Sequence, residues 1–592
     1  MNLNKLLMRA LVWRLKFIND NNFLLIIAGL VGLVAGIAAV TLKTSVHFIQ
    51  GFLRDNVSIS GFDFLYIAYP LVGLVLTVLI SKYILKEYLG HGITQILYSI
   101  SKNSSLIKKG KMYSRMITSA ITVGFGGSVG LEAPIVVTGS AIGSNLARWA
   151  HLNYKRRTLL IGCGSAGAVS AIFNSPVAGV IFAIEVILTD VTISKFIPIL
   201  IASVAGQLVT IILLGEDILF SFRLVDGFQA RDTPYYFLLG LICGMASLYF
   251  TRVIYKVENG LSKVNDSLLR ALFGGLSLAI IMLVFPSIYG EGYDTIKLLL
   301  SENQSEVFSG HFHDVYADNP YALILLLLLT VLIKPVATAL TIGSGGSGGV
   351  FAPSLFMGGL TGFLVGVLLN VILPGADVSL SNFTLVGMCG VMSGVLHAPL
   401  TAIFLIAEIT GGYILFVPLM LVSALSFSTI SYFEKYSIYT KTLIEKGDLI
   451  PYDKDQIVLS LIDMKKLIEK DLLSIHPEKK LKDLTDLVRR SKRNIFPVLD
   501  DEGTLVGIVT LDDIRDIMFD PEKGESVTVQ AIMQKPPNSV SPKEKMQSVM
   551  NKFQTTQAWN LPVIEDGKYI GFVSKSRIFN AYRNKLIQQN KE

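Results

Sequence analysis

The chain has 592 residues, 51% hydrophobic and 16% charged, with three cysteines and a net charge of +7. That length implies more than one domain, and a soluble enzyme rarely carries so large an apolar share. The slight basic excess gives no reason to expect a nucleic-acid partner. Cys163, Cys243 and Cys389, scattered singly, fit buried structural thiols rather than a metal or redox motif.

Residues 1–18 read as amphipathic and basic, with Arg9, Arg14 and Lys16 ahead of the first apolar run. A basic flank there predicts a cytoplasmic N-terminus. No small-residue cleavage site closes a hydrophobic segment, so a signal peptide is not expected. Apolar stretches able to cross a bilayer recur at 23–40, 66–84, 196–214, 235–250, 271–285, 321–340 and 415–430. Several are short and flanked by Gly or Pro, as tilted or broken helices are.

Between these spans the chain repeats itself. Gly126-Gly127-Ser128-Val129-Gly130-Leu131-Glu132-Ala133-Pro134 returns as Gly345-Gly346-Ser347-Gly348-Gly349-Val350-Phe351-Ala352-Pro353. Downstream of each copy, Ser175-Pro176 leads to Glu185 and Ala398-Pro399 leads to Glu408. Two motifs repeated in one order predict a duplicated membrane half with a site at the repeat junction. Glycines let the backbone turn and approach an ion, and proline suits the first turn of a helix. Each motif therefore reads as a loop entering a helix N-terminus at membrane depth, where free N–H groups attract an anion. Close packing of the GxxxG kind explains one glycine run but not two matched runs with Pro at the same place.

On these residues the chain resembles the CLC chloride channels and chloride/proton exchangers over about residues 22–445. Gly130-Leu131-Glu132-Ala133-Pro134 is similar to the family's G-(K/R)-E-G-P, and Gly349-Val350-Phe351-Ala352-Pro353 to G-x-F-x-P. Gly90-His91-Gly92-Ile93-Thr94 stands where the family has G-S-G-I-P, and Ser437-Ile438-Tyr439 where it places a pore tyrosine. The resemblance implies that Glu132 is the gating carboxylate. It implies that His91, Gly130, Val350, Phe351 and Tyr439 line the anion path with it. Glu185 and Glu408 read as structural caps or interface acids.

The chain departs from the pattern in places. Val186 occupies the position of the exchangers' inner proton-transfer glutamate, which favours passive conduction. His91 replaces the central serine, where a neutral imidazole would donate to the anion and a charged one would add pH dependence. Thr94, Leu131 and Ala133 also differ.

Past Tyr432 the chain becomes charged, and its tail repeats a strand, Gly turn and strand at 496–510 and 561–574. These copies resemble CBS domains over about 468–588. Thr510 and Asp513 match the family's nucleotide-holding hydroxyl and acid, whereas Ser574 is followed by Arg577. One adenine nucleotide at the pair is the expectation, beside a pair acting only as a scaffold.

The expected fold is an all-α polytopic membrane protein, an inverted-repeat CLC-type fold with broken helices, plus a C-terminal α/β CBS pair. The expected division is a cytoplasmic segment at 1–21, repeats at about 22–215 and 235–445, a linker at 446–467, and CBS copies at 468–528 and 529–592. The expected activity is passive chloride conduction through one pore in each subunit of a homodimer, with cytoplasmic CBS regulation, in a plasma or bacterial inner membrane. The alternative is a chloride/proton exchanger. A divalent-cation transporter would need several convergent carboxylates, and the spans offer mainly Glu132, Glu185 and Glu408 in separate motifs. No metal site or required cofactor is expected. No metalloprotease helix, nucleophile elbow or Walker loop points to an enzyme.

Overall fold

The computed structural model describes residues 18–57, 64–87, 90, 92–188, 193–215, 227–300, 320–373, 375–448, 459 and 462–591. The basic segment at 1–17 and His91 lie outside these residues. The chain divides into two compact units, Met1–Leu449 and Ile450–Glu592.

The first unit is helical throughout. Its first half runs α1 (Asp20–Val57), α2 (Phe64–Leu79), α3 (Gly92–Lys102), α4 (Ser114–Gly124), α5 (Glu132–Trp149), α6 (Tyr154–Phe173), α7 (Pro176–Phe182) and α8 (Ile193–Leu214). The second half runs α9 (Thr233–Leu261), α10 (Ser267–Val284), α11 (Tyr293–Leu300), α12 (Pro320–Gly343), α13 (Phe351–Ile372), α14 (Leu380–Leu396), α15 (Pro399–Ile409), α16 (Phe416–Phe433) and the short α17 (Lys441–Glu445). Among the described residues, eight stretches are long and apolar enough to cross a membrane. Helix α1 reaches well past the apolar run at 23–40. Lys43 and His47 break that run without breaking the helix, because Val46 and Leu53 stay buried on its inner face. Pro70, Pro198 and Pro335 sit inside helices, which a membrane bundle tolerates where neighbours satisfy the freed groups.

The duplication is visible turn by turn. Asn153 caps the start of α6 by accepting from the Arg156 amide, and Ser379 caps α14 by accepting from that of Asn382. Both helices end on a left-handed residue that is not glycine, Asn174 (φ 56°) and His397 (φ 54°), before the Ser-Pro and Ala-Pro turns. Lipid gives little hydrophobic drive between helices, so small residues must let backbones approach. Helices α5 and α6 meet through Gly139 and Gly164, and α13 and α14 through Gly358 and Gly387. A Cβ at any of the four would strike the opposing backbone. The three cysteines are free and buried in this unit.

The second unit holds two α/β copies. The first is α18 (Leu481–Arg490), β1 (Ile495–Leu499), β2 (Leu505–Thr510) and the short helices α19 (Leu511–Ile514), α20 (Pro521–Ser526) and α21 (Val529–Ile532). The second is α22 (Met546–Thr556), β3 (Asn560–Glu565), β4 (Lys568–Ser574) and α23 (Lys575–Lys591). In each, antiparallel strands join with a bulge beside the turn. The copies exchange edges: Glu469, ahead of the first, bridges Phe572 in the second, and Gln534, ahead of the second, bridges Ile508 in the first.

Arg493 fastens this exchange, bonding buried Glu469 at 2.7 Å and exposed Asp471 at 2.8 Å. Replacing Arg493 with Ala leaves the buried Glu469 without its cation. We expect that to destabilise the unit by about 3 kcal/mol, read by thermal unfolding. Hydrogen bonds from Arg493 hold the Asp471 carboxyl below the usual carboxylate range. This pairing therefore contributes above about pH 4 and is lost as the pH falls through the folded-state value.

Candidate functional site

The two glycine loops meet face to face. Gly130 N donates to Gly349 O at 3.0 Å and Gly349 N to Gly130 O at 2.9 Å, a reciprocal two-residue bridge between the halves. Each loop turns through a positive-φ glycine, Gly126 (φ 90°) and Gly345 (φ 99°), conformations a side chain would strain. Around the bridge, each repeat supplies a hydroxyl to the other. Ser347 N donates to Thr122 Oγ1 at 3.0 Å, and Ser128 N donates to Thr341 Oγ1 at 3.3 Å. These exchanged bonds hold the N-termini of α5 and α13 at one place.

Glu132, the first residue of α5, is 2% exposed. Its Oε1 accepts from the Tyr293 hydroxyl at 2.5 Å. The carboxylate lies against the amides of Glu132 itself and Ala352, so it reaches the helix start of the other repeat. Oε2 closes no hydrogen bond among the described residues. A Cβ on Gly130 would overlap this carboxylate and crowd the Ala352 methyl, so a side chain there would displace Glu132.

Val350 and Phe351 begin α13. The Phe351 ring stacks on Phe173 at 5.1 Å and meets Phe182 edge-on at 6.3 Å, leaving the backbone to face the junction. Tyr439 is 3% exposed and lies within electrostatic reach of Glu132; its hydroxyl has no hydrogen-bond partner among the described residues. Its carbonyl accepts from Thr94 Oγ1 at 2.9 Å, and Tyr255 holds the neighbouring Ile438 carbonyl at 2.9 Å. Gly92, at the start of α3, packs against Val137 and the Ala133 carbonyl of α5. Thus Gly130, Glu132, Val350, Phe351 and Tyr439 converge around helix N-termini. A buried, unpaired hydroxyl beside those positive ends is the chemistry of an anion site. Among the described residues no cluster of His, Cys, Asp and Glu is spaced to hold a metal.

Glu185 and Glu408 are exchanged caps. Glu185 accepts from Leu400 N (3.1 Å), Thr401 N (2.8 Å) and Thr401 Oγ1 (2.7 Å) at the start of α15. Glu408 accepts from Val177 N (3.0 Å) and Ala178 N (2.9 Å) at the start of α7. Both N-termini are thereby filled by protein carboxylates, while those of α5 and α13 face the junction. Val186 packs against the core within a π-helical turn, Ala183–Ile187.

Three polar residues at the junction escaped the sequence reading. Tyr293 holds Glu132. Glu291 Oε1 accepts from Leu131 N at 3.2 Å. Lys334, fully buried, donates to Ser128 Oγ at 2.9 Å and lies over the Phe356 ring. Intramembrane acids therefore number more than the three singled out from sequence. A lysine in the middle of the 321–340 run was the available signal, since an ionisable residue there calls for a partner.

In the second unit, Asp513 Oδ2 accepts from both Thr510 N and Thr510 Oγ1 at 2.7 Å, and Gln534 Nε2 donates to Oδ1 at 2.7 Å. Ser574 Oγ instead donates to Glu469 Oε1 at 2.6 Å.

Duplicated broken helices, aimed from two repeats at one buried point, define a membrane transport protein built around an anion. The match to the voltage gated chloride channel family model spans residues 72–431, and the chain belongs to that CLC family. Two CBS domains match at 464–520 and 529–584. The chain is 26% identical over 561 residues to chloride channel protein CLC-f of Arabidopsis thaliana, covering 83% of this chain and 69% of that one. It is also 26% identical over 409 residues to the H(+)/Cl(-) exchange transporter ClcA of Vibrio cholerae, covering 67% and 83%. Its fold matches a slow cyanobacterial Cl-/H+ antiporter (TM-score 0.63, 20% identity, 72% of this chain and 98% of that one). It also matches a eukaryotic CLC transporter (TM-score 0.61, 19% identity, 94% and 97%).

Proposed function

We propose that this protein is a CLC-type chloride channel, a homodimer with one pore in each subunit, in which Glu132 is the gate. Ionised Glu132 occupies the outer anion position between the α5 and α13 N-termini; protonated or displaced, it leaves that position to chloride. The amides of Val350 and Phe351 and the Tyr439 hydroxyl receive the ion below it. His91 completes the path. The N-terminus and the CBS pair are cytoplasmic, in a cell membrane.

One observation carries passive conduction over exchange. At the inner end of α7, Val186 cannot relay a proton, and both oxygens of its neighbour Glu185 are engaged on α15. The exchanger reading keeps the support of ClcA, a relative named for exchange. Chloride efflux from liposomes, with potassium permeability supplied and external pH recorded, separates them. Efflux without proton uptake is expected; proton uptake in fixed proportion to chloride would overturn the channel reading.

The CBS pair binds an adenine nucleotide in its first copy, with Asp513 releasing Thr510 or Gln534 to hold the ribose. Titration of the full chain with ATP should show one site per subunit. Asp513→Ala should weaken it about tenfold or more, the loss of a charged hydrogen-bond acceptor. Undiminished binding would place the nucleotide elsewhere.

A further inference from the structure

A second carboxylate stands beside the gate. The turn Gly290-Glu291-Gly292 has positive φ on both sides, 61° and 87°, and it is stitched to the first glycine loop. Gly290 N donates to Gly126 O at 3.1 Å, Ser128 Oγ to Ile288 O at 2.8 Å, and Leu131 N to Glu291 Oε1 at 3.2 Å. Lys334 fastens the same turn from below, reaching the Ile288 and Gly290 carbonyls at 3.4 and 3.5 Å. So many bonds on one short turn fix Glu291 at a set distance from Glu132.

Between the two acids and helix α1 lies a cavity of about 30 Å³, whose polar lining is Lys43, His47, Gln50, Glu132, Glu291 and Tyr293. That volume, with several polar walls, suits one or two waters. Lys43 lies 23 residues beyond Asp20 on α1, about 35 Å at the helical rise, or about one hydrocarbon thickness. The cavity therefore belongs to the membrane face opposite the N-terminal end of α1. The charged groups facing Glu291 are Glu132, Lys43 and Lys334, with Tyr293 across the cavity. His47 faces Lys43, Asp294 and Lys297.

We propose that Glu291 is the proton donor to the gate, loaded through this cavity from the side marked by His47. This rests on Glu132 being the gate. Hydronium from the acid solution on the His47 side gives a proton to the Glu291 carboxylate and is left as water. The resulting acid passes a proton through a cavity water to Glu132 Oε2, the oxygen without a hydrogen-bond partner, and Glu291 returns to its ionised form. One proton moves, and only O–H bonds are made and broken. Protonation discharges Glu132, which then gives up the anion position.

The test follows chloride flux through the full chain in liposomes after a jump of the outer pH from about 9 to about 4, wide enough to take a carboxylate from its ionised to its protonated form. Glu291→Gln keeps an oxygen for the Leu131 amide but carries no proton. It should activate about a hundredfold more slowly than wild type, the effect of losing a positioned acid. Imidazole, a small diffusible buffer that does not compete as an anion, should restore the rate in the variant and leave wild type unchanged. A merely structural glutamate would show no such rescue, and an unchanged activation rate overturns the proposal. Should the amide fail to fold, Glu291→Asp, whose shorter side chain draws the acid back from the cavity, carries the test: activation about tenfold slower than wild type is expected, and a wild-type rate overturns the proposal. Glu132→Gln separates the premises. A wild-type response to outer acid in that variant would remove Glu132 as the gate, whereas loss of the response together with normal Glu291→Gln kinetics would remove only the donor.

Discussion

Glu132→Gln should pass chloride about tenfold or more faster than wild type at neutral outer pH, and its flux should no longer change with that pH. The carboxylate is buried between two helix N-termini, held by Tyr293 through one oxygen and lying against the Ala352 amide across the junction. Its negative charge is what makes it a good occupant of an anion position. The isosteric amide has the same size and can still accept from Tyr293, but it brings no charge to compete with chloride. If the gate holds the pore closed for most of the time, removing that competition moves the population by the ratio of open to closed states; tenfold is a modest shift of this kind. Flux that stays small and pH-sensitive in the variant, with normal incorporation, would mean that another group blocks the path.

The repeated motifs made the membrane half legible because their chemistry is local. A glycine run followed by Pro must turn and then start a helix, and two copies imply a junction whatever the connecting helices do. Gly130, Val350, Phe351 and Glu132 were therefore visible from sequence and lie together. The caps were half visible. Glu185 and Glu408 read as capping acids, but nothing along the chain says that each caps the helix of the opposite repeat, a pairing over more than 200 positions. Tyr293, Glu291 and Lys334 went unread for the same reason. They sit outside both motifs, and only the folded turn at 288–293 brings them to Glu132. The apolar run at 23–40 marks a membrane crossing but not the length of helix α1, which continues through Lys43 and His47. The structure uses them to line a polar cavity within the helix's reach.

The exchanged caps give the second large effect. Glu185→Ala should destabilise the membrane unit by about 2 kcal/mol, read as a lower melting temperature in detergent, and should leave the ratio of protons to chloride unchanged. Removing the carboxylate strands three donors at the start of α15, namely Leu400 N, Thr401 N and Thr401 Oγ1. The two Thr401 donors are partly buried and cost about 1 kcal/mol or more each without an acceptor, the bonds lost being charge-assisted, whereas Leu400 is exposed and adds little. Glu408→Ala strands two, Val177 N and Ala178 N, so about 2 kcal/mol is expected there. The caps join α7 and α15 from both ends, so the double variant should depart from additivity. Glu185→Gln decides between cap and proton carrier. The amide offers one oxygen where the carboxylate offered two, and it turns an N–H toward a backbone donor, so stability should fall although the volume is kept. A residue serving only as a cap loses stability in both variants and changes no stoichiometry. If the amide variant stays as stable as wild type but alters proton movement per chloride, Glu185 belongs to an inner proton route and Val186 no longer argues for passive conduction.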